Sequence, residues 1–266
     1  MKLSIITICY NDKQGLQLTL ESVKAQTTHD FQYIVIDGAS KDGSADLLTS
    51  YAPFIDYSVS EPDSGIYNAM NKGIAKSEGE YCLFMNAGDT IFANDTIERA
   101  MSLLDGTDFL SGNTICVFPD GKTKVWKAVN DASTYLMSMY SLSHQATFIK
   151  TDMLKKRPYR EDLKVVSDWE QMFYELIIGD RTYKRLNLNI CKFAQGGVSS
   201  TQAETRERER KIVLNEHFSK KMQTDIAHPN LLVRIASLAD YGSPYYGRLE
   251  LVARIVRKIF GKNRYI

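Results

Sequence analysis

Several things are scarce in this 266-residue sequence, and each scarcity excludes a class of function. Net charge is almost absent: 33 Lys and Arg against 32 Asp and Glu leave +1, so no overall field argues for a nucleic-acid partner. Cysteine is sparse. Cys9, Cys82, Cys116 and Cys191 are scattered with no CxxC pair, and Cys9 and Cys82 lie in apolar runs. They read as buried reduced thiols, which favours a reducing, cytosolic compartment. No stretch approaches the roughly 18 apolar residues of a membrane span. Met1 to Ile8 runs straight into a strand, too short for the core of a signal peptide and without a small-residue cleavage site. The turn after the first strand holds neither GxGxxG nor GxxxxGK[ST], so neither a dinucleotide site nor a P-loop is supported.

What is present is an alternation. Leu3 to Tyr10 reads as a strand, broken by Asn11, Asp12 and Gly15, and Leu16, Leu20 and Val23 then recur at helical spacing to about Gln26. Phe31 to Asp37 is a second strand, Ala45 to Tyr51 a short helix, Ile55 to Ser60 a third strand. Ile66 to Lys76 is a helix with Ile66, Ala69, Met70 and Ile74 on one face. Tyr81 to Met85 is a short buried strand. Strands and helices in this order call for a parallel sheet with helices on both faces.

Polar residues gather after every strand: Thr7, Tyr10 and Asn11, then Asp37 and Ser40, then Asp63, then Asn86 and Asp89. Each group alone is turn chemistry. Together they lie at the carboxyl ends of the strands, where open α/β sheets bind ligands. Asp89 follows Gly88, which lets the backbone approach a ligand closely. A carboxylate there suits a hard divalent cation, and the cation suits a diphosphate; the other reading is an Asp that caps a helix starting near Asn94.

These residues carry a resemblance. Ser4-Ile-Ile-Thr-Ile-Cys-Tyr-Asn11, Ile34-Val-Ile-Asp-Gly-Ala-Ser-Lys-Asp-Gly-Ser44 and Leu83-Phe-Met-Asn-Ala-Gly-Asp89 resemble the motifs of family 2 glycosyltransferases. Glu61-Pro-Asp-Ser-Gly-Ile-Tyr-Asn-Ala-Met-Asn-Lys-Gly-Ile74 is similar to the bacterial polysaccharide subgroup, including colanic-acid-type transferases. The resemblance covers about residues 1–200. It implies an α/β chain of GT-A type, with a mostly parallel central sheet flanked by helices. Residues 1–105 would form the nucleotide-sugar half, 106–200 the acceptor half, and 201–266 a C-terminal helical appendage. Two departures stand out. Gly38 replaces the second of the paired aspartates found after the second strand in many members, and Asn86 replaces an acidic residue of the usual metal motif. The resemblance then places Asp89 as the metal ligand for Mg²⁺ or Mn²⁺, aided by the Asn86 amide oxygen, and leaves metal independence open. It places Thr7, Tyr10, Asn11, Asp37, Ser40, Asp63, Asn71 and Asn86 around the donor.

Beyond Asp89, Thr96 to Leu104 reads as a helix. Asp108 to Phe118 and Lys122 to Trp126 read as strands joined through Pro119-Asp120-Gly121 as a hairpin. Residues 131–139 are a helix or turn. Ser141-Leu-Ser-His-Gln-Ala-Thr-Phe-Ile149 ends in a strand, and its His144 and Gln145 match a stretch on the acceptor side of the family's site. His144 reads equally as a structural histidine. Lys164-Val-Val-Ser-Asp-Trp-Glu170 opens an apolar helix. Ser167 or Asp168 could cap it, whereas the resemblance makes Asp168 the general base. Trp169 could stack on a sugar or sit in the core. Tyr183 to Phe193 reads as an edge strand and Gln195 to Ser200 as a flexible loop over the donor. Thr201 to Met222 is charged throughout and reads as an exposed helix.

Leu231–Leu238 and Leu249–Phe260 are amphipathic, and the end of the chain is basic (Arg248, Arg254, Arg257, Lys258, Lys262, Arg264). A solvated face or docking at an anionic membrane surface would each account for that. The function implied is inverting transfer of a sugar from a nucleotide-diphosphate donor to a hydroxyl of a saccharide acceptor, lipid-linked in that subgroup. Such a protein would be cytoplasmic or peripheral at the inner membrane, with a homo-oligomer left open. The competing classes are a non-catalytic nucleotide-sugar-binding module, favoured by Asn86, and a nucleotidyltransferase. The latter usually has a glycine-rich basic loop that Cys9-Tyr-Asn-Asp-Lys13 lacks.

Overall fold

The computed structural model describes residues 1–194 and 202–228. One sheet runs through it in the order β3-β2-β1-β4-β8-β6-β9-β5, with β7 paired to β6. Strands β1 (Leu3–Cys9), β2 (Gln32–Asp37), β3 (Tyr57–Ser60) and β4 (Tyr81–Phe84) are parallel to their neighbours among these four. Their carboxyl ends therefore share one edge: Cys9 pairs with Asp37, and Asp37 with Ser60. The rest of the sheet is mixed. β8 (Thr147–Lys150) is antiparallel to β4 and to β6 (Phe109–Val117), while β9 (Tyr183–Ala194) runs parallel to β6.

Period-two alternation builds two cores, one on each face. Ile6 and Ile8 of β1, Ile34 and Ile36 of β2, and Cys82 and Phe84 of β4 face one way. They pack on α3 (Ile66–Lys76), α6 (Thr151–Lys156) and α7 (Ser167–Phe173), through residues such as Met70, Leu154 and Phe173. Leu3, Ile5, Val35, Tyr81 and Leu83 face the other way, against α1 (Lys13–Lys24), α2 (Ser44–Ser50) and α4 (Thr96–Met101). All four cysteines are buried and none is in a disulfide.

The hairpin between β6 and β7 (Thr123–Trp126) forms as its turn residues require, with Gly121 at φ 79° and Phe118 N–H donating to Lys122 O. Two expectations change. Tyr183–Ala194 is not an edge strand: β5 (Thr90–Ile91), a two-residue strand with no sequence signature of its own, pairs along its outer side. The charged stretch after residue 201 forms α8 (Ala203–His217) and α9 (Lys220–Ala227), but α8 is not simply exposed, since Glu209 and Val213 are buried. Between these elements lies α5 (Thr134–Met139). No helix among the described residues is long and apolar enough to cross a membrane. The expected loop at 195–200, the amphipathic segments 231–238 and 249–260, and the basic end lie outside the described residues.

Candidate active site

The turns after β1 and β2 are tied to each other before anything can bind there. Asn11 takes φ 51°, and its Oδ1 accepts the Lys41 N–H at 2.8 Å. Its own N–H donates to Ser40 Oγ at 2.7 Å. Ser40 in turn donates its N–H and hydroxyl to Asp37, and Ser60 Oγ donates to the same carboxylate. Asp37 is fully buried and spends both carboxylate oxygens on Ser40 and Ser60, so it organises the turn. Asp63 is bonded to the Gly65 N–H. A Cβ on Gly38 would lie 2.5 Å from Asp63 Oδ2 and 3.1 Å from the Tyr10 ring. Asp63 and Tyr10 thus stand where a side chain at 38 would begin, and either would have to turn aside for an aspartate there. Tyr10 is 67% exposed and leaves an open aromatic face at the rim.

Three expected site residues are elsewhere. Thr7 is fully buried, its hydroxyl 3.0 Å from Tyr33 Oη within the sheet. Asn71 binds the backbone of Tyr159 through both ends of its amide, and Glu161 besides, so it fastens α3 to the 157–161 loop. Trp169 is 1% exposed, stacks on Phe173 at 5.1 Å and donates Nε1–H to Met137 O. Its ring belongs to the core and cannot stack on a sugar.

A second group does converge. Asp168 lies in the first turn of α7, but the helix has Val166 at its N-cap and no side-chain cap. The carboxylate instead accepts from Tyr67 Oη through Oδ1 at 2.8 Å and meets His144 Nδ1 through Oδ2 at 3.0 Å. His144 Nε2 is 3.1 Å from Asn86 Nδ2 on the turn after β4. In the neutral ring Asn86 donates to Nε2 and the proton sits on Nδ1, where it points at Asp168; the protonated ring donates through both nitrogens, and the Asn86 amide then turns its oxygen to Nε2–H. The chain Tyr67–Asp168–His144–Asn86 therefore joins α3, α7, the turn before β8 and the β4 rim. Burial by itself would raise the Asp168 pKa; the bond and charge of His144, with the Tyr67 bond, outweigh it and hold the group below its usual value. For His144 burial works downward, and the Asp168 bond and charge, with the charge of Asp89, carry it above its usual value. Both side chains keep 17% exposure, so the pair reaches solvent. Tyr67 was not singled out in the sequence. Its place in a helical apolar face disguised it, and only its hydroxyl distinguishes it from the core around it.

Asp89 is 5% exposed, and burial raises its pKa to about 7 against the lowering effect of His144, the Asn86 backbone and Gln145. It caps no helix, since α4 begins at Thr96 with Asp95 before it. Gln145 is 7% exposed, bonded to Ser143 and to Asp89, so it supports that turn and is not open to an acceptor. Among the described residues no three His, Cys, Asp or Glu side chains converge to hold an ion unaided. The turn nonetheless fits one. With its nitrogen facing His144, Asn86 leaves Oδ1 buried without a hydrogen-bond partner, and a cation would stabilise the charged form of the Asp89 carboxyl that burial disfavours. Mg²⁺ or Mn²⁺ commonly takes one or two protein oxygens and completes its shell with water and phosphate.

Comparison with known proteins follows this geometry. The model of the family described as glycosyl transferase family 2 matches residues 4–162. An uncharacterized glycosyltransferase of Mycobacterium tuberculosis is 32% identical over 205 residues, 74% of this chain and 76% of that one. A PGL/p-HBAD biosynthesis glycosyltransferase of Mycobacterium bovis is 28% identical over 174 residues, 63% of this chain and 66% of the relative. Among solved structures, S. aureus TarS 1-349 in complex with UDP-GlcNAc aligns over 95% of this chain and 79% of its own, with a TM-score of 0.64 at 18% identity. A mannosyltransferase from Pyrobaculum calidifontis in complex with GDP-Man and Mn²⁺ aligns over 98% and 88%, with a TM-score of 0.57 at 17% identity. The fold is of the GT-A type seen in these enzymes.

Proposed function

The chain belongs to glycosyl transferase family 2, and on that premise we propose that it moves a sugar from a nucleotide-diphosphate donor to a hydroxyl of a saccharide acceptor, with inversion and with Asp168 as the general base. The observation that carries this reading is the Asp168 carboxylate itself. It is ionised, aimed by Tyr67 and His144, and linked through His144 to the β4 rim. The carboxylate accepts from Tyr67, His144 and the Trp169 backbone and keeps lone-pair capacity for an incoming hydroxyl. In the step, that hydroxyl's proton passes to Asp168 as its oxygen bonds to the anomeric carbon. The bond from that carbon to the diphosphate breaks, and the diphosphate leaves with the electron pair. The donor's nucleotide would lie over the β1–β3 edge, against the Tyr10 face and Asp63, on turns held by Asn11, Ser40 and Asp37. Asp89 and Asn86 would hold a divalent cation, which when bound supplies charge stabilisation for the departing diphosphate.

We assign the donor half to residues 1–105 and the acceptor half to 106–200, because the rim turns lie in the first while His144 and Asp168 lie in the second. TarS binding UDP-GlcNAc and the archaeal enzyme binding GDP-Man set the donor candidates. A lipid-linked acceptor in surface polysaccharide synthesis is the class we propose. It rests on sequence alone, through the basic amphipathic segments beyond residue 228.

A panel of UDP- and GDP-sugars, with and without Mn²⁺, is the test. Release of nucleoside diphosphate from at least one of them is expected. Binding without release from any of them would replace this reading with a non-catalytic nucleotide-sugar-binding module.

A further inference from the structure

The backbone that delivers Asp168 to the site is held from outside the catalytic sheet. Lys164 and Val165 immediately precede α7, and their N–H groups donate to Glu209 of α8, at 2.8 Å to Oε1 and 2.9 Å to Oε2. Glu209 is 4% exposed. A buried carboxylate is costly unless its oxygens are satisfied, and here each oxygen is satisfied by one backbone amide. The same helix grips α7 along its flank. The Arg210 guanidinium lies 4.6 Å over the Trp169 ring, and its Nη1 donates to Met139 O. Val213 is fully buried, and Glu216 pairs with Arg160, which also approaches Glu170 of α7. Just beyond α8, Phe218 meets Phe173 edge-on at 5.4 Å. Residues 209, 213 and 216 recur at helical spacing, so one face of a helix that reads as uniformly charged is an interface.

We propose that Glu209 is a positioning residue for the general base. It fixes the Lys164–Val165 backbone, and through it the place of Asp168 relative to Tyr67, His144 and the acceptor hydroxyl. The inference rests on the reading of Asp168 as the base. Glutamine at 209 keeps one acceptor oxygen but turns an amide nitrogen toward the second N–H, so one of the two clamps is lost while the volume stays the same.

The test uses the full chain and four proteins: wild type, Glu209→Gln, Asp168→Asn and the double variant. Each is assayed by nucleoside-diphosphate release from the UDP- or GDP-sugar that the wild type turns over. Glu209→Gln is expected to lower kcat on the order of tenfold to a hundredfold, the scale of a misplaced catalytic group, with KM for the nucleotide sugar and affinity for UDP or GDP unchanged. In the Asp168→Asn background the same change is expected to cost nothing more, because its effect passes through a base already removed. Amide hydrogen exchange over residues 164–169 should quicken in Glu209→Gln. Glu209→Asp, which keeps both oxygens on a shorter arm, should fall between wild type and Gln and serves in place of Gln if Gln does not fold. A kcat within twofold of wild type, an equal loss in the Asp168→Asn background, or unchanged exchange at 164–169 would overturn the proposal. Wild-type activity in Asp168→Asn alone would instead retire the base assignment, whatever Glu209→Gln does.

Discussion

Asp168→Asn protein is expected to bind nucleoside diphosphate as the wild type does and to turn over its donor on the order of a hundred to ten thousand times more slowly, the range for loss of a general base. The amide is the clean substitution. Its oxygen can still accept from His144 Nδ1–H at 3.0 Å, while its nitrogen, facing Tyr67 Oη at 2.8 Å, becomes the donor there and leaves the Tyr67 O–H to find another acceptor. The side chain keeps its shape and loses the capacity to take a proton. Alanine would strand two buried partners and mix a folding cost with the catalytic one.

A companion measurement follows from the direction of the Asp168 shift. The group is held below its usual value despite burial, with His144 contributing most and Tyr67 after it. A carboxylate depressed in the folded state is ionised through neutral pH and loses function only as pH falls. Tyr67→Phe removes a bond made to the ionised form, so the acid limb of the kcat profile should move to higher pH. Calorimetric titration with UDP and GDP beside the rate measurement separates binding from chemistry. Near-wild-type turnover in Asp168→Asn would remove the residue from the proton's path.

The second large effect concerns Asp89, and its direction is opposite. Burial raises its folded-state pKa to about 7, against 3.8 for the ordinary group. The unfolded chain ionises it above about pH 4, whereas the folded chain keeps it protonated until near 7. Its charge therefore penalises the native state above pH 7, and the penalty fades as pH falls from 7 toward 4. The span corresponds to an upper bound of about 4 kcal/mol at pH 8. In chelator at pH 8, Asp89→Asn is expected to raise the melting temperature on the order of 10 °C, and at pH 4 to leave it unchanged. Mn²⁺ in millimolar excess should raise the wild-type melting temperature at pH 8, since an ion bound only to the native state stabilises it by mass action. It should not raise that of the variant. Equal stability of the two proteins at pH 8 would contradict the buried-charge account, and a wild type indifferent to Mn²⁺ would remove the metal from this turn.

The half of the molecule that carries the rim was legible because its signals are local. Apolar runs of five to seven residues, broken by Gly, Asp and Asn and alternating with helical spacing, placed β1, β2, α2, α3 and β4 within about two residues, while α1 starts three residues earlier, at Lys13, and takes in Gly15. Ile66–Lys76 fell where its spacing put it. The strand pairings of the second half were not legible. β5 is two residues long and exists through its partner β9, and β9 is interior only because β5 lies beside it.

The site divided along the same line. Residue types at strand ends pointed to the edge that the carboxyl ends of the four parallel strands share, but sequence cannot tell an Asp that faces a ligand from one that ties its own turn. Asp37, Thr7 and Asn71 spend their polar atoms on the protein. The Asp168–His144 contact spans 24 residues and Tyr67–Asp168 spans 101. Neither leaves a periodic trace in the chain. Glu209 was hidden for a different reason. Among alternating Glu and Arg it looks like every other charge, and only the two amides above it single it out.

The central claim, a single displacement with Asp168 taking the acceptor's proton, has a stereochemical signature. One deprotonated oxygen attacking the anomeric carbon as the diphosphate departs must invert that carbon. The decisive measurement is the anomeric configuration of the first-formed product by proton NMR. With an α-configured donor such as UDP-GlcNAc or GDP-mannose, the account predicts a β-linked product from wild-type enzyme. An α-linked product would contradict it, because retention requires a different mechanism at that carbon.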